Sequence, residues 1–330
     1  MWQGIKEVID QHQVFLLTTH VNPDGDGIGA ASALTEYLVS KGKKVRFVSD
    51  SKIPARFSFL DYHKTHEIYN PSNDYSEIEV IIVLDAHKKE RIGRIVDLFK
   101  NPNICKMCID HHELKETFAD IAFIDKEACS SGAMVHALLK ELDFKLNLPA
   151  ATGIYTSVIC DTGRFSYAST DCKAHQIAEE CMLIGVDPDE MYSKLFQHVS
   201  MMQINLLIYA LKSMETYLNK KVIIQTLTLK DLKEIGLEEG EMEHAELDYI
   251  HDFNKLIEDV KCVVLLRELP GMEVRVSLRS CPDLDISKMM ETLGGGGHRN
   301  AAGVLIKGSL LDIKKQIIFL LEEMICSSIK

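Results

Sequence analysis

Short apolar runs that end at polar residues recur along the first half of the chain. They occupy residues 14–18, 80–84 and 104–109. Uninterrupted apolar runs of this length, rich in β-branched residues, are typical of strands that are buried on both faces of a parallel sheet. Segments of helical character lie between them. The pattern therefore predicts an α/β fold with a doubly wound parallel sheet that extends to about residue 187.

The pattern changes after residue 187. Only helices are predicted from residue 188 to residue 217, which suits a helical connector. Strand-like segments return at 222–229, 260–266 and 273–280, and an acidic stretch between the first two is expected to be a solvated helical surface. The chain is thus predicted to contain a catalytic domain over 1–187, a connector over 188–217, and a smaller α/β substrate-binding domain over 218–330.

The first apolar run ends in the polar segment TTHVNPDGDGIGA. This segment places His20, Asp24 and Asp26 within seven positions. A helix is predicted only from about residue 31, so these side chains are expected on a strand-to-helix loop, whose glycines would let the backbone turn tightly. In open α/β sheets, ligands bind in the crevice beyond the carboxyl ends of the strands. The segment therefore predicts a ligand site at the carboxyl end of the first strand.

Further carboxylate and imidazole side chains lie at the ends of the second and third apolar runs and of one helical segment. Asp85 follows the second apolar run, and Asp110, His111 and His112 follow the third. Asp161 ends a largely apolar helical segment, where a carboxylate calls for a partner. Oxygen and imidazole ligands without thiolate favour manganese or magnesium, and the histidines favour manganese.

The number of carboxylates suggests two ions rather than one. Four carboxylates carry too much negative charge for a single divalent ion, whereas two ions with one bridging carboxylate would balance them. Two ions ~3.5–4 Å apart are the usual device for in-line displacement at phosphorus. The sequence therefore predicts a two-metal site for phosphoester chemistry.

Two features of the second domain suggest a phosphate-binding surface. The alternation along 273–280 places Arg275, Ser277 and Arg279 on one strand face, as either a phosphate clamp or a plain exposed face. The segment GGGGHRNAAG follows at 294–303, and its main-chain N–H groups could cradle an anion. A flexible linker is the competing interpretation, but the apolar residues directly after it favour binding.

The net charge, the cysteine count and the length of the apolar runs exclude some classes of function. A formal net charge of −12 argues against long duplex nucleic acid but leaves a short anionic substrate open. Nine cysteines without a paired spacing fit reduced thiols. Apolar runs as long as ~18 residues and a secretory signal are both lacking, so we expect no membrane contact and a cytoplasmic location.

Taken in order, these motifs resemble the Asp-His-His (DHH) phosphoesterase superfamily, and within it the NrnA-like type of nano-RNase and pAp phosphatase. The resemblance implies one manganese ion on His20, Asp24 and Asp85. It implies a second ion on Asp26, Asp85, His111 and Asp161, with Asp85 as the bridge. It further implies that His112 faces the substrate phosphate, that Asp110 orients the histidine pair, and that the nucleotide is bound by Arg279, Gly296, Gly297 and His298.

The activity that the resemblance implies is manganese-dependent hydrolysis of short RNA and of adenosine 3′,5′-bisphosphate (pAp), in a cleft between the two domains. Magnesium is an alternative metal, and a homodimer is left open. A phosphodiesterase for linear or cyclic dinucleotides is the main alternative, and a catalytically silent nucleotide-binding protein is a less favoured one. Ala30 and His87 depart from the usual family residues, and His87 is either close to the metal site or a surface residue.

Overall fold

The chain folds into two compact units. The computed structural model describes residues 2–86, 88–112, 118–242, 247–254 and 256–327. The units are Met1–His198 and Val199–Lys330. Their boundary lies inside the segment that the sequence predicts as a connector. His87 lies outside the described residues.

The first unit alternates strands and helices. Its strands are β1 (Val14–Thr18), β2 (Lys44–Ser49), β3 (His66–Ile68), β4 (Val80–Leu84), β5 (Cys105–Asp110) and β6 (Ile121–Ile124). Its α-helices are α1 (Gln3–Gln11), α2 (Gly25–Ser40), α3 (Ser131–Glu141), α4 (Leu148–Asp161), α5 (Cys172–Ile184) and α6 (Pro188–Phe196). Two 3₁₀ segments, Ala55–Leu60 and Lys89–Lys100, complete the unit.

The six strands form one sheet in the order β3-β2-β1-β4-β5-β6, and all neighbouring strands are parallel. This order confirms the predicted doubly wound sheet. One face buries Phe15 and Leu17 against the α-helices, and the other buries Leu16 against Ile92 and Ile95 of the second 3₁₀ segment. The order of the strands reverses between β1 and β4, and such a switch point opens a crevice at the carboxyl ends of the strands.

Helix α2 begins earlier than the sequence predicts. Asp24 is its N-cap and accepts a hydrogen bond from the backbone N–H of Asp26, 3.0 Å away. Asp26 therefore lies in the first helical turn and not on a loop. The prediction failed because glycine was taken as a turn signal. In the structure a Cβ at Gly27 would lie 2.0 Å from Thr19 Oγ1, and one at Gly29 would lie 2.3 Å from the carbonyl oxygen of Gly153, so these glycines permit close packing instead.

The second unit is built on a mixed sheet. Its strands are β7 (Glu215–Tyr217), β8 (Val222–Leu227), β9 (Cys262–Leu269), β10 (Glu273–Ser280), β11 (Gly296–His298) and β12 (Ala301–Lys307), in the order β11-β12-β10-β9-β8-β7. Its helices are α7 (Met201–Lys212), α8 (Leu229–Ile235), α9 (Glu239–Met242), α10 (Asp248–Asn254), α11 (Ser287–Thr292) and α12 (Leu310–Ser327). Strands β8 and β9 are parallel, and the other neighbouring pairs are antiparallel. One apolar core packs under α11 and α12, and the other under α7, α8 and α10.

Two local predictions for this unit need correction. Residues 215–217 form a strand paired with β8 rather than the end of a helical segment. The acidic stretch is not only a solvated surface, because Met242 and Ile250 are buried in the core of the unit. The glycine-rich segment is partly a strand, and some of its glycines have conformational or packing reasons. Gly294 has φ +81°, and a Cβ at Gly297 would lie 2.4 Å from the carbonyl oxygen of Ala301.

Within the described ranges, none of the helices combines the length and the apolar composition that a membrane crossing requires.

Candidate metal centre

The polar residues that follow the central strands meet at one edge of the first sheet. His20 lies just beyond β1, Asp85 directly follows β4, and His111 and His112 directly follow β5. Asp161 is the last residue of α4. Since β1, β4 and β5 are adjacent and parallel, their carboxyl ends bring these side chains together.

One group of potential ligand atoms comes from His20, Asp24 and Asp85, whose donor atoms lie within 4.8 Å of one another. His20 Nε2 is 3.5 Å from Asp24 Oδ2 and 3.5 Å from Asp85 Oδ2. The other ring nitrogen, Nδ1, lies 2.9 Å from the carbonyl oxygen of Val21. That contact fixes the ring so that Nε2 points toward the carboxylates.

A second group comes from Asp26, His111 and Asp161, again with donor atoms within 4.8 Å. His111 Nε2 lies 3.5 Å from Asp26 Oδ2 and 3.3 Å from Asp161 Oδ2. His111 Nδ1 lies 3.2 Å from the carbonyl oxygen of Ala128, which orients the ring. The structure thus divides the residues of the opening polar segment between two groups, as the family resemblance implies.

Asp85 lies between the two groups. Its Oδ2 faces His20, while its Oδ1 is 3.8 Å from His111 Nε2. The Asp85 side chain is almost fully buried, and its backbone has φ +57°, a left-handed conformation that is uncommon for residues other than glycine. A strained backbone at the end of a central strand aims one carboxylate at both groups.

Asp110 positions His112 rather than both histidines. Its Oδ1 accepts hydrogen bonds from His112 Nδ1 at 2.8 Å and from the His112 backbone N–H at 3.0 Å. His111 is held by a backbone carbonyl instead. The His112 side chain is 40% exposed, more than the 12% of His111.

The contacts that hold Asp26 are not apparent from the sequence. Asp26 Oδ2 accepts from the backbone N–H of Ser131 at 2.8 Å, and Oδ1 accepts from the N–H of Gly132 at 3.0 Å. The Ser157 hydroxyl also donates to Oδ1. The carboxylate therefore sits at the N-terminus of α3, where the helix dipole favours negative charge. The contact between Ser131 and Asp26 spans 105 residues, so local sequence does not reveal it.

The carboxylates of the two groups lie close together, and the neighbouring histidines do not balance their negative charge. Burial, followed by the neighbouring Asp26, raises the pKa of Asp85 well above its usual value, and burial also raises the pKa of Asp26. Burial and Asp26 raise the pKa of Asp161 to about 7. Burial alone would lower the pKa of His20, but the carboxylates of Asp24 and Asp85 outweigh it and raise this pKa to about 10.

These residues fit divalent cations. Within the described part of the chain, His111 Nε2 is buried and has no hydrogen-bond partner, although carboxylates surround it. Carboxylate oxygens that surround a ring nitrogen without hydrogen-bonding to it are arranged as ligands around a metal ion are. Oxygen and imidazole donors without thiolate suit manganese or magnesium.

The residues expected to bind the nucleotide lie in the second unit. Strand register places His298 opposite Ala301 on β12, and Ala301 opposite Arg279 on β10. Gly296 lies on the same short strand, and a Cβ there would have no atom within 4 Å. Among the four glycines, Gly296 thus has no packing reason within the unit. The side chain of His298 lies outside the described part of the structure.

Two family models match the chain, one in each unit. The model described as the DHH family, N-terminal domain, matches residues 14–180, and the model of the DHHA1 domain matches residues 219–325. The first match spans β1 to α5 and contains every donor residue of both groups.

Relatives over almost the whole chain agree with this assignment. The chain is 28% identical over 298 residues to the bifunctional oligoribonuclease and PAP phosphatase NrnA of Thermus thermophilus. The aligned region covers 90% of the chain and 85% of the relative. It is 26% identical over 303 residues to the NrnA of Bacillus subtilis, covering 90% and 91%. The solved structure of an exopolyphosphatase-related protein from Bacteroides fragilis superposes with a TM-score of 0.87 at 25% identity, covering 99% of this chain and 97% of that one. The chain belongs to the DHH family and carries a DHHA1 domain.

Proposed function

We propose that the protein is a divalent-metal-dependent phosphoesterase that hydrolyses short oligoribonucleotides and pAp to mononucleotides. Its similarity to proteins named bifunctional oligoribonuclease and PAP phosphatase supports this substrate class. Both substrates carry a phosphate on a ribose 3′ oxygen, so cleavage of the same P–O3′ bond would serve both reactions. Manganese is the preferred metal in this proposal, and two ions are the expected number.

The observation that carries the proposal is the position of Asp85. One oxygen of its carboxylate faces His20 and the other faces His111. His20, Asp24 and Asp85 would hold one ion, and Asp26, His111 and Asp161, again with Asp85, would hold the other. A pair of divalent ions lowers the pKa of a bound water and neutralises the charge that develops on the phosphate oxygens.

The chain itself would bind and orient the phosphate. Asp110 holds the Nδ1 side of the half-exposed His112 ring, and Nε2 would donate to a phosphate oxygen of the substrate. Asp110 also raises the pKa of His112, which favours the cationic ring that a phosphate prefers. Asp26 is held rigidly by α3 and by Ser157, so the carboxylate is oriented before substrate arrives.

The second unit supplies the candidate nucleotide-binding residues of the proposal. Arg279 would form a forked contact with a phosphate or base edge, together with His298 and the backbone N–H groups of Gly296 and Gly297. Gly296 supports this role because the packing of its own unit does not require a glycine there. The formal net charge of −12 fits a preference for short substrates over long polyanions.

A substrate panel tests the proposal. The purified protein is incubated with manganese and one of five substrates: a diribonucleotide, a 24-residue RNA, pAp, linear pApA and cyclic di-AMP. Release of mononucleotide is followed by chromatography. We expect turnover of the diribonucleotide and of pAp, and little turnover of the long RNA. Exclusive turnover of cyclic di-AMP would replace the proposal with a cyclic-dinucleotide phosphodiesterase.

The matched control is Asp85→Asn. Asparagine tolerates the left-handed backbone that Asp85 adopts, so the fold should persist while the negative charge between the two groups is lost. Two-metal stabilisation contributes several kcal/mol, so the rate should fall on the order of 10³-fold. Manganese-dependent turnover at the wild-type rate in this variant would contradict the metal assignment.

A further inference from the structure

The first unit contains a second pocket, lined by residues other than the metal-donor residues. Its volume is about 370 Å³, and it lies between α2, the 3₁₀ segment Ala55–Leu60 and the outer strands β2 and β3. Volumes of this size are typical of small-molecule sites. The proposed phosphoester chemistry makes no use of this pocket.

A buried carboxylate lines the pocket. Glu36 is 7% exposed; its Oε1 accepts a hydrogen bond from His63 Nε2 at 2.7 Å, and its Oε2 accepts one from Asn147 Nδ2 at 2.8 Å. Each oxygen of a carboxylate can accept two hydrogen bonds. Within the described part of the chain each Glu36 oxygen thus retains one acceptor position, and His63 and Asn147 fix the carboxylate in place.

Flat and apolar groups form much of the wall. Phe47 and Phe57 are 5% and 3% exposed, and Leu60 lies beside them. The ring of His66 lies 5.4 Å from that of Phe47, between centroids. Burial lowers the pKa of His66, which disfavours the cationic ring. An acceptor pair beside flat apolar walls recognises a flat ligand that carries hydrogen-bond donors.

We propose that this pocket binds a guanine-type base, with its two neighbouring N–H donors on the carboxylate of Glu36. The N1–H and the 2-amino group of guanine present such a pair on one edge, and the ring fills the space between the aromatic side chains. A guanidinium group carries a similar donor pair but lacks a ring of that size. The exposed Lys52 at the rim can contact a phosphate attached to the nucleoside. Binding here is independent of the proposed hydrolysis, so either can fail without the other.

Calorimetric titration of the metal-loaded full chain tests the proposal. Guanosine, inosine, adenosine and L-arginine amide are the four probes. Inosine lacks the 2-amino donor, so guanosine should bind at least about tenfold more tightly, because a hydrogen bond to a charged group contributes more than 1.4 kcal/mol. Equal affinity for guanosine and inosine would overturn the donor-pair assignment. Tighter binding of L-arginine amide than of guanosine would overturn the ring assignment.

Three variants locate the binding site. Glu36→Gln replaces one acceptor with a donor, and guanosine affinity should fall at least about tenfold. Ile68→Trp places a large ring at the half-exposed rim and should also weaken binding while leaving Glu36 unchanged. Leu183→Trp adds the same side chain at an exposed position on α5 and should leave binding unchanged. Thermal unfolding confirms that each variant is folded.

Two outcomes would reject the site. Unaltered guanosine binding in a folded Ile68→Trp variant would show that the pocket is not used. Loss of guanosine binding in Asp85→Asn would place the nucleoside at the metal centre instead. A crystal soaked with guanosine would show the base against Glu36 if the proposal holds.

Discussion

Residues outside the two donor groups hold the donor side chains of the candidate metal centre in position. Ser157 illustrates this, since its hydroxyl donates to Asp26 and accepts from the backbone N–H of Gly132. One serine on α4 thus connects a carboxylate on α2 to the start of α3. Groups of this kind commonly change metal affinity by about 10–100-fold when they are removed.

Replacing Ser157 with alanine should weaken metal binding while the first unit stays folded. Asp26 would keep its two backbone hydrogen bonds, so the unit should remain folded with a loss of about 1–3 kcal/mol. Metal affinity should fall at least about tenfold, measured by manganese titration. The matched control is Thr156→Ala on the same helix, because Thr156 bonds the carbonyl of Thr152 and not Asp26. Equal losses of metal affinity in both variants would assign the effect to general loosening of α4.

Asp85 lies between the two donor groups, and its position is expected to reduce the stability of the metal-free fold. Its carboxylate is buried near Asp26 and Asp24, which raises its pKa, and its backbone is left-handed. In metal-free protein, Asp85→Asn should therefore raise the melting temperature while abolishing tight manganese binding. Asp85→Ala should melt below Asp85→Asn, since alanine is disfavoured in the left-handed region by roughly 1–2 kcal/mol. Differential scanning calorimetry of both variants checks this order, and the reverse order would contradict the strain assigned to Asp85.

At the scale of elements, the strands of the first unit could be predicted from sequence and the start of α2 could not. The runs at 14–18 and 80–84 match β1 and β4, because strands buried on both faces leave continuous apolar runs. The glycines of α2 led the sequence prediction astray, because glycine suggests a turn. In the structure, Gly25 and Gly29 allow α4 to pack closely against α2, and that contact is not visible from local sequence.

The contact between α2 and α4 gives a stability prediction. A Cβ at Gly29 would lie 2.3 Å from the carbonyl oxygen of Gly153 and 3.0 Å from the backbone N of Ser157. Gly29→Ala should therefore force the helices apart and reduce the free energy of unfolding by about 1–3 kcal/mol or more. Gly240→Ala is the control, because a Cβ there meets no atom within 4 Å and its φ is not positive. That variant should be neutral or slightly stabilised, and equal denaturant midpoints for both variants would contradict the packing role of Gly29.

At the scale of the molecule, the sequence indicated which residues converge at the candidate metal centre but not how they are supported. Strand order explains the first part, because residues at the ends of adjacent parallel strands must converge. The support comes from contacts such as Ser157 to Asp26, 131 positions apart, and single-sequence patterns do not report them. The glycine-rich segment shows the same limit, since Gly295 and Gly297 make close contacts in the hairpin of β11 and β12 that local sequence does not reveal.

Metal removal should destabilise the first unit in a pH-dependent way. The pKa of Asp161 rises from 3.8 to about 7 on folding, and those of Asp26 and Asp85 also rise. Because the folded state then binds protons more tightly than the unfolded state, these groups stabilise the metal-free protein at low pH, and that stability is lost as pH rises through about 7. His20 acts in the same direction, since its pKa rises from 6.5 to about 10.

Metal-loaded protein should show the opposite trend between pH 5 and pH 8. Ligands must lose their protons to bind an ion, so metal binding and the stability it supplies increase with pH. Hydrogen exchange followed by mass spectrometry at pH 5, 6.5 and 8 tests both states, after correction for the intrinsic exchange rate. Protection over residues 1–198 should fall with pH without metal and rise with manganese. Residues 199–330 contain none of the donor residues and serve as the internal control. Equal changes in both units would mean that the pH effect does not arise from the carboxylate cluster.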